Sequence, residues 1–199
     1  MENPSEEGLF RLELKEISER VSTCTKCRLS ENRTNAVPGE GDSDADLLFV
    51  GEGPGRQEDE QGRPFVGRAG NKLTEILNSV SLERSQVYIT NIVKCRPPEN
   101  RTPKSDEIES CLPYLEAQIA ELNPSIIVTL GNAATKTLLD TDRGITSARG
   151  QFYTWRGSIE VFPMFHPSYL LRNPSKKKGS PKHQTWKDIK KVKKALTSN

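Results

Sequence analysis

Leu47 to Gly70 reads LLFVGEGPGRQEDEQGRPFVGRAG. Its first four residues, Leu47-Leu48-Phe49-Val50, form an unbroken apolar run closed by glycine, the pattern of a buried strand. The chain then enters a glycine-rich loop carrying Glu52, Arg56, Glu58 and Asp59. Phe65 follows between Pro64 and Val66, ahead of a helix led by Arg68. A strand that delivers a carboxylate into a loop whose glycines admit close backbone approach is an active-site arrangement, not merely a turn.

The rest of the chain repeats the strand–helix alternation. Val87–Ile92 reads as a second strand ending near Cys95 and the pair Pro97-Pro98, and Ile126–Leu130 as a third stopped by Gly131. Gln151–Trp155 and Ile159–Met164 flank Arg156-Gly157-Ser158 as the arms of a hairpin, and the second arm runs into Phe165-His166-Pro167-Ser168. Helical spacing predicts a helix from Glu6 to about Ser22, with Leu9, Phe10, Leu12, Leu14, Ile17 and Val21 apolar, and others over Arg68–Val80, Ala133–Leu139 and Gln184–Leu196. Thr102-Pro103 offers a capping hydroxyl and a first-turn proline for a helix reaching about Leu122, with Pro113 an oddity inside it. Val37 to Gly41 reads as loop.

This alternation argues for an α/β layered fold with a mainly parallel sheet. Ligands in such sheets sit beyond the carboxyl ends of the strands. Four strand ends carry candidates: Glu52, Asn91, Gly131 and His166. A carboxylate, an amide and an imidazole from distant parts of the chain are therefore expected to converge.

At 199 residues the chain is expected to form one domain, residues 1–199, with a basic segment from about residue 172. A mean hydropathy of -0.66 and 28% charged residues exclude a membrane-spanning reading. The acidic start MENPSEEG lacks the pattern of a secretory signal, so a cytoplasmic, nucleoid-associated protein is expected. From Arg172 to Asn199 ten basic residues face one acid, a charge of +9, whereas the remainder, 19 basic against 26 acidic, stands at -7. Such a basic end on an acidic body fits contact with a polyanion as well as it fits a solvated tail.

The four cysteines are Cys24, Cys27, Cys95 and Cys111. Disulfides are not expected in a cytosolic chain. Only one CxxC is present, so the pattern is not a zinc ribbon. Two further cysteines at strand and helix ends suit a four-thiolate site, which by its donors alone fits either zinc or an iron–sulfur cluster.

GEGPGRQED followed by GRPFVGRAGNKL resembles the first motif of the uracil-DNA glycosylase superfamily, specifically its family 4, iron–sulfur branch. VYITNIVKCRPP resembles the second motif and HPSYLLRNP a later one, so the likeness covers most of the chain. It implies a three-layer α/β/α fold around a central, mainly parallel four-stranded sheet. It also implies a [4Fe–4S] cluster on Cys24, Cys27, Cys95 and Cys111. The implied activity is hydrolysis of the N-glycosidic bond of deoxyuridine in single- or double-stranded DNA, leaving uracil and an abasic site for base excision repair.

On this resemblance each candidate has a task. Phe65 is the ring on which the extruded base stacks. Asn91 reads the uracil edge, since one carboxamide matches O4 and N3–H where cytosine presents the opposite pattern. His166 hydrogen-bonds O2 as negative charge builds on the leaving base. Glu52 holds or polarises water and favours the cationic sugar. Gly53 lies beside the base, at the position where the most studied branch carries an aspartate, and Glu58 and Asp59 are fallback carboxylates.

Leu170 or Leu171 is expected to fill the space vacated in the duplex, Arg172 to hold adjacent phosphate, and Ser168 to bind the backbone near the flipped nucleotide. Lys176, Lys177, Lys178 and Lys182 would add salt-sensitive affinity. Glu99 to Pro103 lacks the histidine-bearing insertion by which one related branch attaches itself to DNA, which favours turnover by hydrolysis. A monomer is expected. The rival readings are a non-catalytic iron–sulfur DNA-binding module and a zinc-stabilised interaction domain.

Overall fold

The structure, a computed structural model, describes residues 6–9 and 12–198. Its elements in chain order are α1 (Glu6–Leu9), α2 (Leu14–Thr23), β1 (Glu40–Gly41), β2 (Leu47–Gly51), α3 (Arg56–Gln61), α4 (Arg68–Asn78), β3 (Tyr88–Asn91) and α5 (Ser105–Leu122). Then follow β4 (Ile126–Leu130), α6 (Asn132–Leu139), α7 (Ile145–Ala148), β5 (Tyr153–Trp155), β6 (Ile159–Met164), α8 (Pro167–Arg172) and α9 (Pro181–Leu196). Among the described residues no helix is long and apolar enough to cross a membrane.

The strands form one sheet in the order β1-β3-β2-β4-β6-β5. The central four, β3-β2-β4-β6, are parallel, and the two in the middle, β2 and β4, are buried along their whole length, as strands covered on both faces are. Sequence reasoning expected four strands, and the sheet has six. β1, read as loop, pairs antiparallel with β3 through Glu40↔Ile89, and β5 adds the other antiparallel edge as the first arm of the expected hairpin. A two-residue strand of glutamate and glycine carries no apolar alternation, so only its partner reveals it.

Helices cover both faces. Leu48, Val50, Ile127 and Val161 pack with Leu115 and Ile119 of α5 and Leu138 of α6. Leu47, Phe49, Val128 and Phe162 pack with Leu73 and Leu77 of α4 and Ile189 and Val192 of α9. This is the three-layer arrangement, with the period-2 alternation of each strand feeding two separate cores.

Two helix boundaries depart from expectation. The first helix is broken into α1 and α2, while Phe10 lies outside the described residues. α5 begins at Ser105, because the Glu107 carboxylate accepts from the Lys104 backbone N–H at 2.8 Å and closes the first turn there. Thr102 and Pro103 precede it as extended chain and are free for another use. The helix continues through Pro113 to Leu122.

Parallel pairing in register sets the carboxyl ends of the strands level. Gly51 lies opposite Asn91, and Leu130 opposite Met164. The loops that follow open together at one edge of the sheet.

Candidate functional site

At that edge lies an open cleft of about 1030 Å³ whose lining includes Glu52, Gly53, Phe65, Asn91, His166, Ser168 and Arg172. Residues 114 positions apart thus share one wall-to-wall space, and the convergence expected from the strand ends is what the fold produces.

Asn91 ends β3 on the cleft floor. It is 1% exposed, and among the described residues its Oδ1 has no hydrogen-bond partner. A buried carbonyl left without a donor costs about 1–3 kcal/mol, so this acceptor is held ready for something that enters. Gly51 lies directly beside it: a Cβ there would fall 2.4 Å from Asn91 Oδ1 and 2.6 Å from Phe65 Cζ. The missing side chain at Gly51 is what lets amide and ring occupy one corner.

Phe65 adopts φ +50°, unusual for a residue with a Cβ, and is nearly buried. Its neighbours hold this geometry. Arg84 donates to the carbonyls of Phe65 (3.0 Å) and Pro64 (2.9 Å) while pairing with Glu40 at 2.6 Å. Glu58 accepts from the backbone of Val66 and Gly67 at 3.0 and 2.8 Å. Gly70 gives the Phe65 carbonyl room, since a Cβ there would lie 1.8 Å away. The ring faces His166, with centroids 5.7 Å apart and planes inclined by 36°.

His166 caps the start of α8. Its Nδ1 accepts from the Ser168 backbone N–H at 3.1 Å and lies 2.8 Å from the Ser168 hydroxyl. An Nδ1 that accepts a backbone proton leaves the neutral ring's hydrogen on Nε2. Burial, and then the charge of Arg172, pull its pKa down to about 4. The site therefore holds a neutral imidazole with one N–H to donate.

Glu52 follows β2 at the mouth of the cleft. Burial raises its pKa, and a hydrogen bond from the Thr102 side chain offsets part of that rise. Thr102 lines the same cleft instead of capping α5. The fallback carboxylates are occupied elsewhere: Glu58 in the Phe65 loop, and Asp59, 3% exposed, accepting from the backbone N–H of Thr34 at 2.9 Å.

On α8 the two leucines part company. Leu170 is 1% exposed and faces the interior, which corrects the expectation that it meets DNA. Leu171 is half-buried, while Tyr169 is 37% exposed and lines the cleft. Ser168 is engaged by His166, so its hydroxyl serves the imidazole. Gly51, Thr102, Arg84 and Tyr169 were missed from sequence. Gly51 had a signal, as a glycine inside an otherwise apolar strand end; a threonine in a loop and an arginine far along the chain had none.

The four cysteines line a second, small cavity together with Lys26, Lys94 and Tyr114. All are free thiols. Donors point at three sulfurs: Lys26 N–H to Cys24 at 3.5 Å, Arg33 Nη1 to Cys95 at 3.0 Å, and Lys94 N–H to Cys111 at 3.3 Å. Among the described residues no three His, Cys, Asp or Glu side chains are arranged to hold a single metal ion. An all-sulfur donor set spread around one cavity, with N–H groups directed at the sulfurs, fits an iron–sulfur cluster.

Residues 38–190 match the family model described as the uracil DNA glycosylase superfamily. The chain is 54% identical over 167 residues to the type-4 uracil-DNA glycosylase of Thermotoga maritima, covering 83% of this chain and 87% of that one. It is 50% identical over 173 residues to the type-4 enzyme of Sulfurisphaera tokodaii, covering 83% and 79%. It is 47% identical over 190 residues to that of Saccharolobus solfataricus, covering 92% and 86%. The chain belongs to the uracil DNA glycosylase superfamily.

Proposed function

We propose that this chain is a DNA glycosylase that receives a deoxyuridine turned out of DNA and hydrolyses its N-glycosidic bond, releasing uracil and leaving an abasic site. The observation that carries the reading is the unpartnered, buried Asn91 Oδ1 beside the Phe65 ring and His166. Uracil N3–H supplies the donor that this oxygen lacks, and the Asn91 amide N–H₂ meets O4. Cytosine would bring a lone pair to a carbonyl and an amine to an amine, and mispaired polar groups in a closed site discriminate strongly.

Phe65 offers its face to the base. As the bond from N1 to the sugar breaks, its electron pair leaves with uracil and charge gathers at O2. The neutral His166 donates Nε2–H there, from a position fixed by the Ser168 N–H before the reaction begins. A neutral donor gains more from the developing anion than from the ground-state carbonyl, so the contact favours the transition state. Glu52 would face the sugar, where a carboxylate stabilises the cationic deoxyribose and takes the proton of the water that adds to C1′. Gly53, where a Cβ would fall 2.8 Å from Val93 Cγ2, would meet the base through its backbone alone.

Arg172 and Tyr169, which line the cleft, the half-buried Leu171 and the basic stretch beyond residue 172 would meet the DNA backbone and the space left by the extruded nucleotide. Cys24, Cys27, Cys95 and Cys111 would hold a [4Fe–4S] cluster. Bound there, it would tie the N-terminal loop to the segment between β3 and α5.

The test is release of free uracil from single- and double-stranded deoxyuridine oligonucleotides, with absorbance and iron analysis on the same preparation. Uracil release and broad visible absorbance are expected. DNA binding without release would leave a passive module, and colourless, iron-free protein that still folds and cleaves would remove the cluster. Asn91→Asp should relax the preference for uracil over cytosine, and an unchanged preference would remove Asn91 as the reader of the base edge.

A further inference from the structure

Lys94 is a lysine where none is expected. It is 1% exposed, and its Nζ donates to Thr90 Oγ1 at 2.6 Å, the Asn91 carbonyl at 2.8 Å and Gln118 Oε1 at 2.6 Å. None of the three is a carboxylate. Burying a lysine amine among neutral oxygens is costly, and what offsets the cost here is the geometry of its three hydrogen bonds. A methionine of similar volume would fill the space without that cost.

The partners show what Lys94 holds. Thr90 Oγ1 and Gln118 Nε2 both donate to the Pro38 carbonyl, at 2.7 and 2.9 Å, so β3, α5 and the loop before β1 meet at one knot. The third arm grips the peptide of Asn91, whose side chain projects the unpartnered amide into the cleft. The backbone of Lys94 reaches the other way: its N–H donates to Cys111 Sγ at 3.3 Å, and its carbonyl accepts from Val37 N–H at 2.7 Å. One residue thus touches the cysteine cavity with its main chain and the root of the recognition amide with its side chain.

We propose that Lys94 is a positioning residue for base recognition, fixing the Asn91 backbone so that its carboxamide meets the uracil edge and making that alignment part of the cysteine-bearing framework. The proposal rests on the reading of Asn91 as the group that reads uracil. Lys94 touches no substrate. It acts by removing the freedom of the Asn91 peptide, and a shift of a fraction of an ångström there moves both hydrogen bonds to the base.

The experiment compares Lys94→Met, Gln118→Leu and Asn91→Ala in the cluster-loaded protein. Four quantities are read: single-turnover uracil release, inhibition by free uracil, affinity for an abasic oligonucleotide, and visible absorbance per chain. Lys94→Met is expected to weaken inhibition by free uracil about tenfold or more and to slow release by a similar factor, the size set by one misaligned polar contact. Affinity for abasic DNA and absorbance should stay near wild type. Gln118→Leu, which leaves the lysine in place but removes one acceptor, should show a smaller loss of the same kind. A merely structural role would lower all four readings together, and that outcome would overturn the proposal. So would wild-type inhibition by uracil in Lys94→Met when Asn91→Ala has lost it. If Asn91→Ala itself leaves uracil inhibition intact, the reading of Asn91 fails instead.

Discussion

Gly51→Ala isolates the corner where base recognition is built. The added Cβ would stand 2.4 Å from Asn91 Oδ1 and 2.6 Å from Phe65 Cζ, where ordinary contact begins at 3.4 Å. Amide and ring must therefore each retreat by about 1 Å, since the methyl hangs from a buried strand. Displacement of that size at a reacting centre costs roughly 100-fold in rate. Overpacking a dense interior costs about 1–3 kcal/mol, a fall in melting temperature of roughly 2–4 °C per kcal/mol for a chain of this size. The assay pairs single-turnover release of uracil from a single-stranded oligonucleotide with thermal melting of the same sample. The expected result is a folded protein with its rate down by about two orders of magnitude. A variant that releases uracil at the wild-type rate would refute the placement of both Asn91 and Phe65 around the base.

His166 makes a prediction about acid. Its folded pKa of about 4 lies below the ordinary 6.5, so the unfolded chain takes up a proton first as pH falls. The stability this neutral ring contributes is complete above about 6.5 and declines as pH drops toward 4. Wild-type melting temperature should consequently fall more between pH 7 and pH 5 than that of His166→Ala, and equal falls would place the acid sensitivity elsewhere. The leucines of α8 should separate cleanly. Leu170→Ala, made in the core, should cost about 2–5 kcal/mol of stability. Leu171→Ala should leave melting unchanged and slow release from duplex more than from single-stranded DNA. The reverse pattern would exchange their assignments.

Much of the site was legible before any coordinates. Strands such as Leu47–Val50 and Ile126–Leu130 alternate with helices, which argues for a covered, mainly parallel sheet, and such a sheet opens its ligand cleft at the carboxyl ends of its strands. That reasoning alone places Glu52, Asn91 and His166 together, and composition and charge place the basic segment at the end of the chain. What the residues could not announce were features created by a partner. β1 exists because β3 offers it an edge. Thr102 lines the cleft because α5 starts at Ser105. Leu170 and Leu171 are the same residue type side by side, and only the direction each faces on α8 buries the one and leaves the other half-buried.

The amino-acid order therefore determined the sheet, its layers and the chemical types gathered at its edge, because periodicity and apolar length are properties of the chain read locally. The tertiary structure decided which groups are spent and which are free. One oxygen of Glu58 is taken by two backbone N–H groups and the Lys94 amine by three oxygens, while among the described residues Asn91 Oδ1 is left without a donor. Hydrogen-bond satisfaction depends on atoms brought from far along the chain, and no local pattern records it.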